Sequence, residues 1–86
     1  MNSTFIKGII NEANENNLIR IYVFSKPIGI TKEKYFINID GDANIIEIIK
    51  KSGKIRDMII NINSIKYIEV IEPENFGTDP VLGMKK

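Results

Sequence analysis

Isoleucine constrains this chain more than any other feature. Twenty of its 86 residues are Ile, against two Leu and two Ala. A β-branched side chain is stiff at its first torsion and fits a pleated surface, while the good helix formers Leu and Ala are almost missing. A mainly β fold is therefore expected. Ten Asn and ten Lys accompany the Ile. All three residue types use A/T-rich codons, so genome composition accounts for the bias, and its physical consequence holds regardless.

A chain of 9.8 kDa makes one domain. Folding alone, it hides roughly 60–65% of its unfolded surface. That leaves no room for a large enclosed active site or a two-domain dinucleotide unit. Cys and His are both absent, which removes disulfides, zinc-finger spacing, thiol nucleophiles and any His-based triad. Twelve basic residues against eleven acidic ones leave +1, so no global field favours DNA or a membrane surface. Apolar runs last only a few residues, and the start of the chain lacks the layout of a secretion signal. A cytoplasmic, non-enzymatic protein without cofactor is expected.

Along the chain, Phe5, Ile6, Ile9, Ile10 and Ala13 recur at helical spacing, with Ser3 as N-cap and the Asn cluster at 14–17 as stop; a strand entering a hairpin at Asn16-Asn17 is the alternative. Residues 18–24 read as a strand with Ile19, Ile21 and Val23 on one face. Residues 25–34 read as a polar connector containing Pro27 and Gly29. A second strand covers 35–40, with Tyr35, Ile37 and Ile39 sharing a face, and Asp40-Gly41-Asp42 marks a turn. The run 43–51 suits a buried helix or a two-faced strand; length, Ile content and the Ser52-Gly53 turn after it favour the strand. Strands four and five cover 54–62 and 65–71, with Ile65 and Tyr67 turned inward. The domain is placed at 1–72 and a tail at 73–86, where Phe76, Val81, Leu82 and Met84 suggest docking. An N-terminal helix followed by five short strands predicts a strongly bent antiparallel sheet or small barrel. Several strands are apolar on both faces, which a chain this small cannot cover, so a homo-oligomer is expected.

This order, with its tight turn between strands three and four, resembles the Sm/LSm family of small β-barrels, including its bacterial Hfq-like branch. The run Asp40-Gly41-Asp42-Ala43-Asn44-Ile45 has the spacing of the first Sm signature. Asn61-Ile62-Asn63-Ser64 followed by Ile65-Lys66-Tyr67-Ile68 is similar to the second. The resemblance spans roughly residues 3 to 72. It implies a ring of six or seven subunits that binds single-stranded RNA. Where the family carries an Arg-Gly or Lys-His pair, this chain has Ile62-Asn63, and its connector at 25–34 is longer than the usual turn.

Candidate ligand-binding residues follow. Asn44, Asn61 and Asn63 stand where the family's base-binding loops would be, and a carboxamide both donates and accepts, as reading a base edge requires. Asn also suits turns. Lys50, Lys51, Lys54 and Arg56 cluster around the Ser52-Gly53 turn, and Lys26, Lys32 and Lys34 lie in the connector; either group suits phosphates or a solvated surface. Tyr22, Phe24, Tyr35, Phe36 and Tyr67 suit a stacking platform or a core. Asp40, Asp42, Glu47 and Asp57 read as turn and surface acids rather than a metal site. The leading expectation is an oligomeric barrel that binds single-stranded nucleic acid or a nucleotide through its loops. The alternative is a phage or mobile-element module that blocks a protein partner or sequesters a nucleotide signal.

Overall fold

A computed structural model describes residues 2–24 and 26–78. The chain is mainly β: one helix, α1 (Ser3–Glu12), precedes six strands, β1 (Leu18–Val23), β2 (Lys26–Ile30), β3 (Tyr35–Asp40), β4 (Ile45–Lys50), β5 (Ile55–Asn61) and β6 (Ile65–Ile71). A short 3₁₀ turn, Ile62–Ser64, joins β5 to β6, and a second, Pro73–Thr78, follows β6. The strands form two antiparallel three-stranded sheets, ordered β2-β1-β6 and β3-β4-β5, and do not close into a barrel. No helix among the described residues is long and apolar enough to cross a membrane.

Helix α1 is capped one residue earlier than expected. The Asn2 side chain, not that of Ser3, accepts from the Phe5 amide at 2.8 Å. At the other end, Lys32 Nζ donates to the carbonyls of Ile10 at 2.9 Å and Ala13 at 2.8 Å. A cation there satisfies orphan acceptors and complements the helix dipole. Ile6 and Ile10 enter the core, while Phe5 stays largely exposed.

The expected connector at 25–34 contains a strand, which corrects the five-strand reading to six. β2 pairs with β1, Ile19 opposite Ile30 and Ile21 opposite Ile28. Pro27 and Gly29 argue for a break only in a central strand. On an edge, a proline can face away from the ladder, and β2 is an edge. Phe24, at φ 57°, helps turn the chain from β1 into β2.

The two hairpins of the second sheet share one construction. Asp40 faces Ile45 and Lys50 faces Ile55, so each loop holds four residues. Each ends on a residue in the left-handed region, Asn44 at φ 58° and Lys54 at φ 51°. Gly53, expected to turn the hairpin, has no positive φ. Gly41 is needed for space: a Cβ there would stand 2.9 Å from Ser3 Oγ, where the turn meets the start of α1.

The core is built almost entirely of isoleucine. Ile6 and Ile10 of α1 meet Ile19, Ile21, Ile30 and Ile65 of one sheet, Ile46, Ile48 and Ile60 of the other, and Ile62 of the 3₁₀ turn. Alternation therefore chooses the face at β1 and β3 as expected, whereas at β4, apolar on both sides, the structure selects Ile46 and Ile48 for the core. It fails at Tyr67, which was expected inside and lies half exposed, opposite Tyr22 on the outer face. Of the tail, Phe76 is partly buried, while Val81, Leu82 and Met84 lie outside the described residues.

Candidate functional site

The structure divides the candidate ligand-binding residues between the two ends of the β4–β5 hairpin, about 20 Å apart by the rise of a six-residue strand. Asn44, Asn61 and Asn63 meet at one end. Asn61 lies opposite Ile45, and the Ile62 amide donates to the Asn44 carbonyl at 2.9 Å. The β3–β4 loop and the 3₁₀ turn are thus bolted together. Asn61 Oδ1 accepts from the Asn63 amide at 2.8 Å, which occupies its side-chain carbonyl and leaves its amino group for another acceptor. Ile62, between Asn61 and Asn63, is fully buried and part of the core.

Beside this end, Asp40 Oδ1 accepts from the amides of Asp42 and Ala43, both at 3.0 Å. The carboxylate shapes the turn as expected of Asp in such a loop. Among the described residues, no group of acidic side chains is placed to hold a metal ion.

Lys50, Lys51 and Lys54 meet at the opposite end, in and beside the β4–β5 loop. Arg56 lies one step further along and is already engaged: its Nη1 donates to Glu47 Oε2 at 2.9 Å, and Asn38 Nδ2 donates to the other oxygen at 2.9 Å. Arg56 and, less strongly, Asn38 hold the Glu47 carboxyl below its ordinary range. Arg56 is therefore already paired with Glu47 across an exposed face.

The structure adds Lys34 to this end. Tyr35 faces Lys50, and the Lys51 amide donates to the Lys34 carbonyl at 3.0 Å. Folding residues 35–40 back onto 45–50 about the Asp40 turn would have revealed this neighbourhood. Lys26 lies on β2, and Lys32 is consumed in capping α1. The lysines at 26, 32 and 34 therefore do not form one patch.

The aromatic residues do not make one platform either. Tyr22 and Tyr67 stack on each other, ring centres 4.1 Å apart, on the outer face of the β2-β1-β6 sheet. Tyr35 and Phe36 belong to the lysine end, where the Lys51 ammonium stands 5.0 Å from the Phe36 ring centre.

One cluster escaped sequence reading. Arg20 is only 3% exposed. Its Nη1 lies 3.0 Å from Tyr22 Oη and 3.3 Å from Glu69 Oε1, and Tyr22 Oη donates to the same carboxylate at 2.6 Å. The Arg20 bond pulls the Tyr22 phenol down, but the Glu69 acceptor and burial outweigh it and hold it above its ordinary range. No family model matches the chain, and no curated protein or solved structure matches it either.

Proposed function

We propose that this chain is a non-enzymatic, Sm-like subunit that assembles with copies of itself and binds single-stranded nucleic acid at its asparagine end. The observation that carries the reading is the junction of Asn44, Asn61 and Asn63, held by the Ile62–Asn44 backbone bond. Three carboxamides are carried on turns whose backbones are braced against each other, and a carboxamide can donate to and accept from base edges. The order of elements supports it in part: an N-terminal helix precedes a run of short antiparallel strands. With Ile62 in the core, this end reads bases without a cationic anchor, and repetition around an assembly supplies the affinity.

The open edges support assembly. β5 and β6 each end a sheet, and they carry the exposed residues Ile55, Ile59, Tyr67 and Val70. Pairing β5 of one copy with β6 of the next covers both edges, and a contact between two different surfaces repeats into a ring if the rotation closes.

Light scattering tests the assembly: a mass several times 9.8 kDa is expected, and a monomer at micromolar concentration overturns it. Fluorescence anisotropy with a labelled 12-nucleotide U-rich RNA tests the site. The variant Asn44→Gly/Asn61→Ala/Asn63→Ala keeps the left-handed turn accessible and removes all three carboxamides. Affinity should fall by roughly tenfold or more, the scale of losing one good base contact. Unchanged affinity removes the asparagine end from the function.

The alternative, a module that docks on a protein partner, is favoured by a different observation. Phe36 and Ile59 on the outer face of the β3-β4-β5 sheet are each 50% exposed, and an apolar patch of this kind suits a protein contact.

A further inference from the structure

The lysine end contains a formed cleft of about 480 Å³, lined by Glu33, Lys34, Tyr35, Lys50, Lys51 and Ser52. That volume falls within the range of about 300–1,000 Å³ typical of small-molecule sites. Its wall is mostly carbon, and the side chains around it carry three ammoniums, one carboxylate and two hydroxyls. Three lysines against one glutamate make the lining net positive by two in a chain whose total is +1, so the rest of the chain is slightly acidic. The composition conceals this concentration of charge.

The cleft is held by backbone bonds rather than by its charges. Tyr35 and Lys34 donate their amides to the Thr31 carbonyl at 3.1 and 3.3 Å, Glu33 donates to Glu15 at 3.1 Å, and Lys51 donates to Lys34 at 3.0 Å. Among the described residues, Lys34, Lys50 and Lys51 form no ion pair, and the Lys51 ammonium, which stands 5.0 Å from the Phe36 ring centre, would exchange that contact for the ligand. Like charges gathered in one concavity repel, and low-dielectric walls focus their field, so an anion entering the cleft relieves the repulsion. The carbon walls select an anion that carries an apolar, flat group.

We propose that this cleft binds a nucleotide, with phosphate oxygens on the ammoniums of Lys34, Lys50 and Lys51 and the base along the Tyr35 ring. A free nucleotide and the phosphorylated end of a strand share this chemistry. The site stands apart from the asparagine end and does not depend on the reading of that end.

The experiment is a titration of the full chain, followed by amide chemical shifts, with ADP, adenosine and inorganic pyrophosphate as probes. ADP should saturably shift residues 33–35 and 50–52 and bind more tightly than either other probe. The variant Lys34→Gln/Lys50→Gln/Lys51→Gln should weaken ADP by at least about tenfold, the loss expected for one charge-assisted hydrogen bond. The charge-matched control Lys7→Gln/Lys26→Gln/Lys66→Gln should not. Tyr35→Leu should weaken ADP and spare pyrophosphate. An equal loss in the control, shifts confined to other residues, or adenosine or pyrophosphate binding as tightly as ADP overturns the proposal. Tighter binding of a 5′-phosphorylated than of a 5′-hydroxyl 12-nucleotide RNA assigns the ligand to strand ends; competition by ADP alone assigns it to free nucleotides. The asparagine variant should bind ADP normally, so the two sites fail independently.

Discussion

The two sheets carry nearly the same device on their outer faces and put it to different uses. On β2-β1-β6, the Glu69 carboxylate receives the Arg20 guanidinium and the Tyr22 hydroxyl. On β3-β4-β5, the Glu47 carboxylate receives the Arg56 guanidinium and the Asn38 amide. The difference is water. The Arg20 side chain is almost wholly enclosed, with the stacked tyrosines Tyr22 and Tyr67 beside it. The Arg56 side chain is 56% exposed, on the same sheet as Phe36 and Ile59, which are themselves half exposed. A buried charge must keep its partner or unfold something, whereas an exposed pair exchanges its partner for water at little cost. The first face is thus part of the fold, and the second is free to meet something else.

The largest test of that contrast is a pair of truncations. Arg20→Ala should cost about 2–3 kcal/mol, somewhat below a fully buried pair because Glu69 keeps contact with water. For a domain this size, that lowers the thermal midpoint by roughly 10–20 °C, read by circular dichroism. Arg56→Ala should change stability by less than about 1 kcal/mol. Equal losses would erase the distinction between the faces.

Next, Phe36→Ser/Ile59→Ser should leave the thermal midpoint of the isolated subunit nearly unchanged, within about 0.5 kcal/mol per site. If the open face is a docking surface, the same variant should lose a partner or elute at smaller size in gel filtration. A large drop in stability instead would show that this face is structural too.

The smallest effects are in pH dependence, and they have opposite signs. Glu47 titrates below its unfolded value because of Arg56, so its contribution is present above the unfolded carboxylate pKa and fades as pH falls through the folded one. Glu47→Gln should flatten the acid limb of a stability–pH curve. Glu74 is raised by its hydrogen bond and repulsion with Glu72, so its contribution is present below the unfolded pKa and fades as pH rises through the folded one. Glu74→Gln should therefore raise the midpoint slightly at neutral pH and leave it unchanged in acid. A steeper acid limb in the first variant, or a lower neutral midpoint in the second, would reverse these assignments.

Much of this architecture is legible in the residues. The alternation of Ile19 and Ile21 with Arg20 and Tyr22 names both faces of β1, and Tyr35, Ile37 and Ile39 mark the inner face of β3. The spacing around Asp40 and Asn61 marks both halves of the asparagine junction, because each half is a local turn. The lysine end was only half visible. Lys50 and Lys51 are adjacent, but Lys34 reaches them through the register of β3 on β4, a non-local fact. β2 was hidden because Pro27 and Gly29 are breakers in a central strand and harmless on an edge, and a strand's position in its sheet is not written in its own residues.

What the sequence determined by itself was therefore what neighbours in the chain carry: strand content from the Ile excess, the faces of β1 and β3, the positions of the turns, and the absence of cysteine and histidine chemistry. The tertiary structure alone decided which polar residues are buried and which cations share a cleft. Arg20 reads as a surface residue until Glu69, 49 positions later, and Tyr67 are paired beside it. Burial and electrostatic fields are set by distance in space, and strand pairing brings together groups whose separation along the chain carries no trace of that meeting.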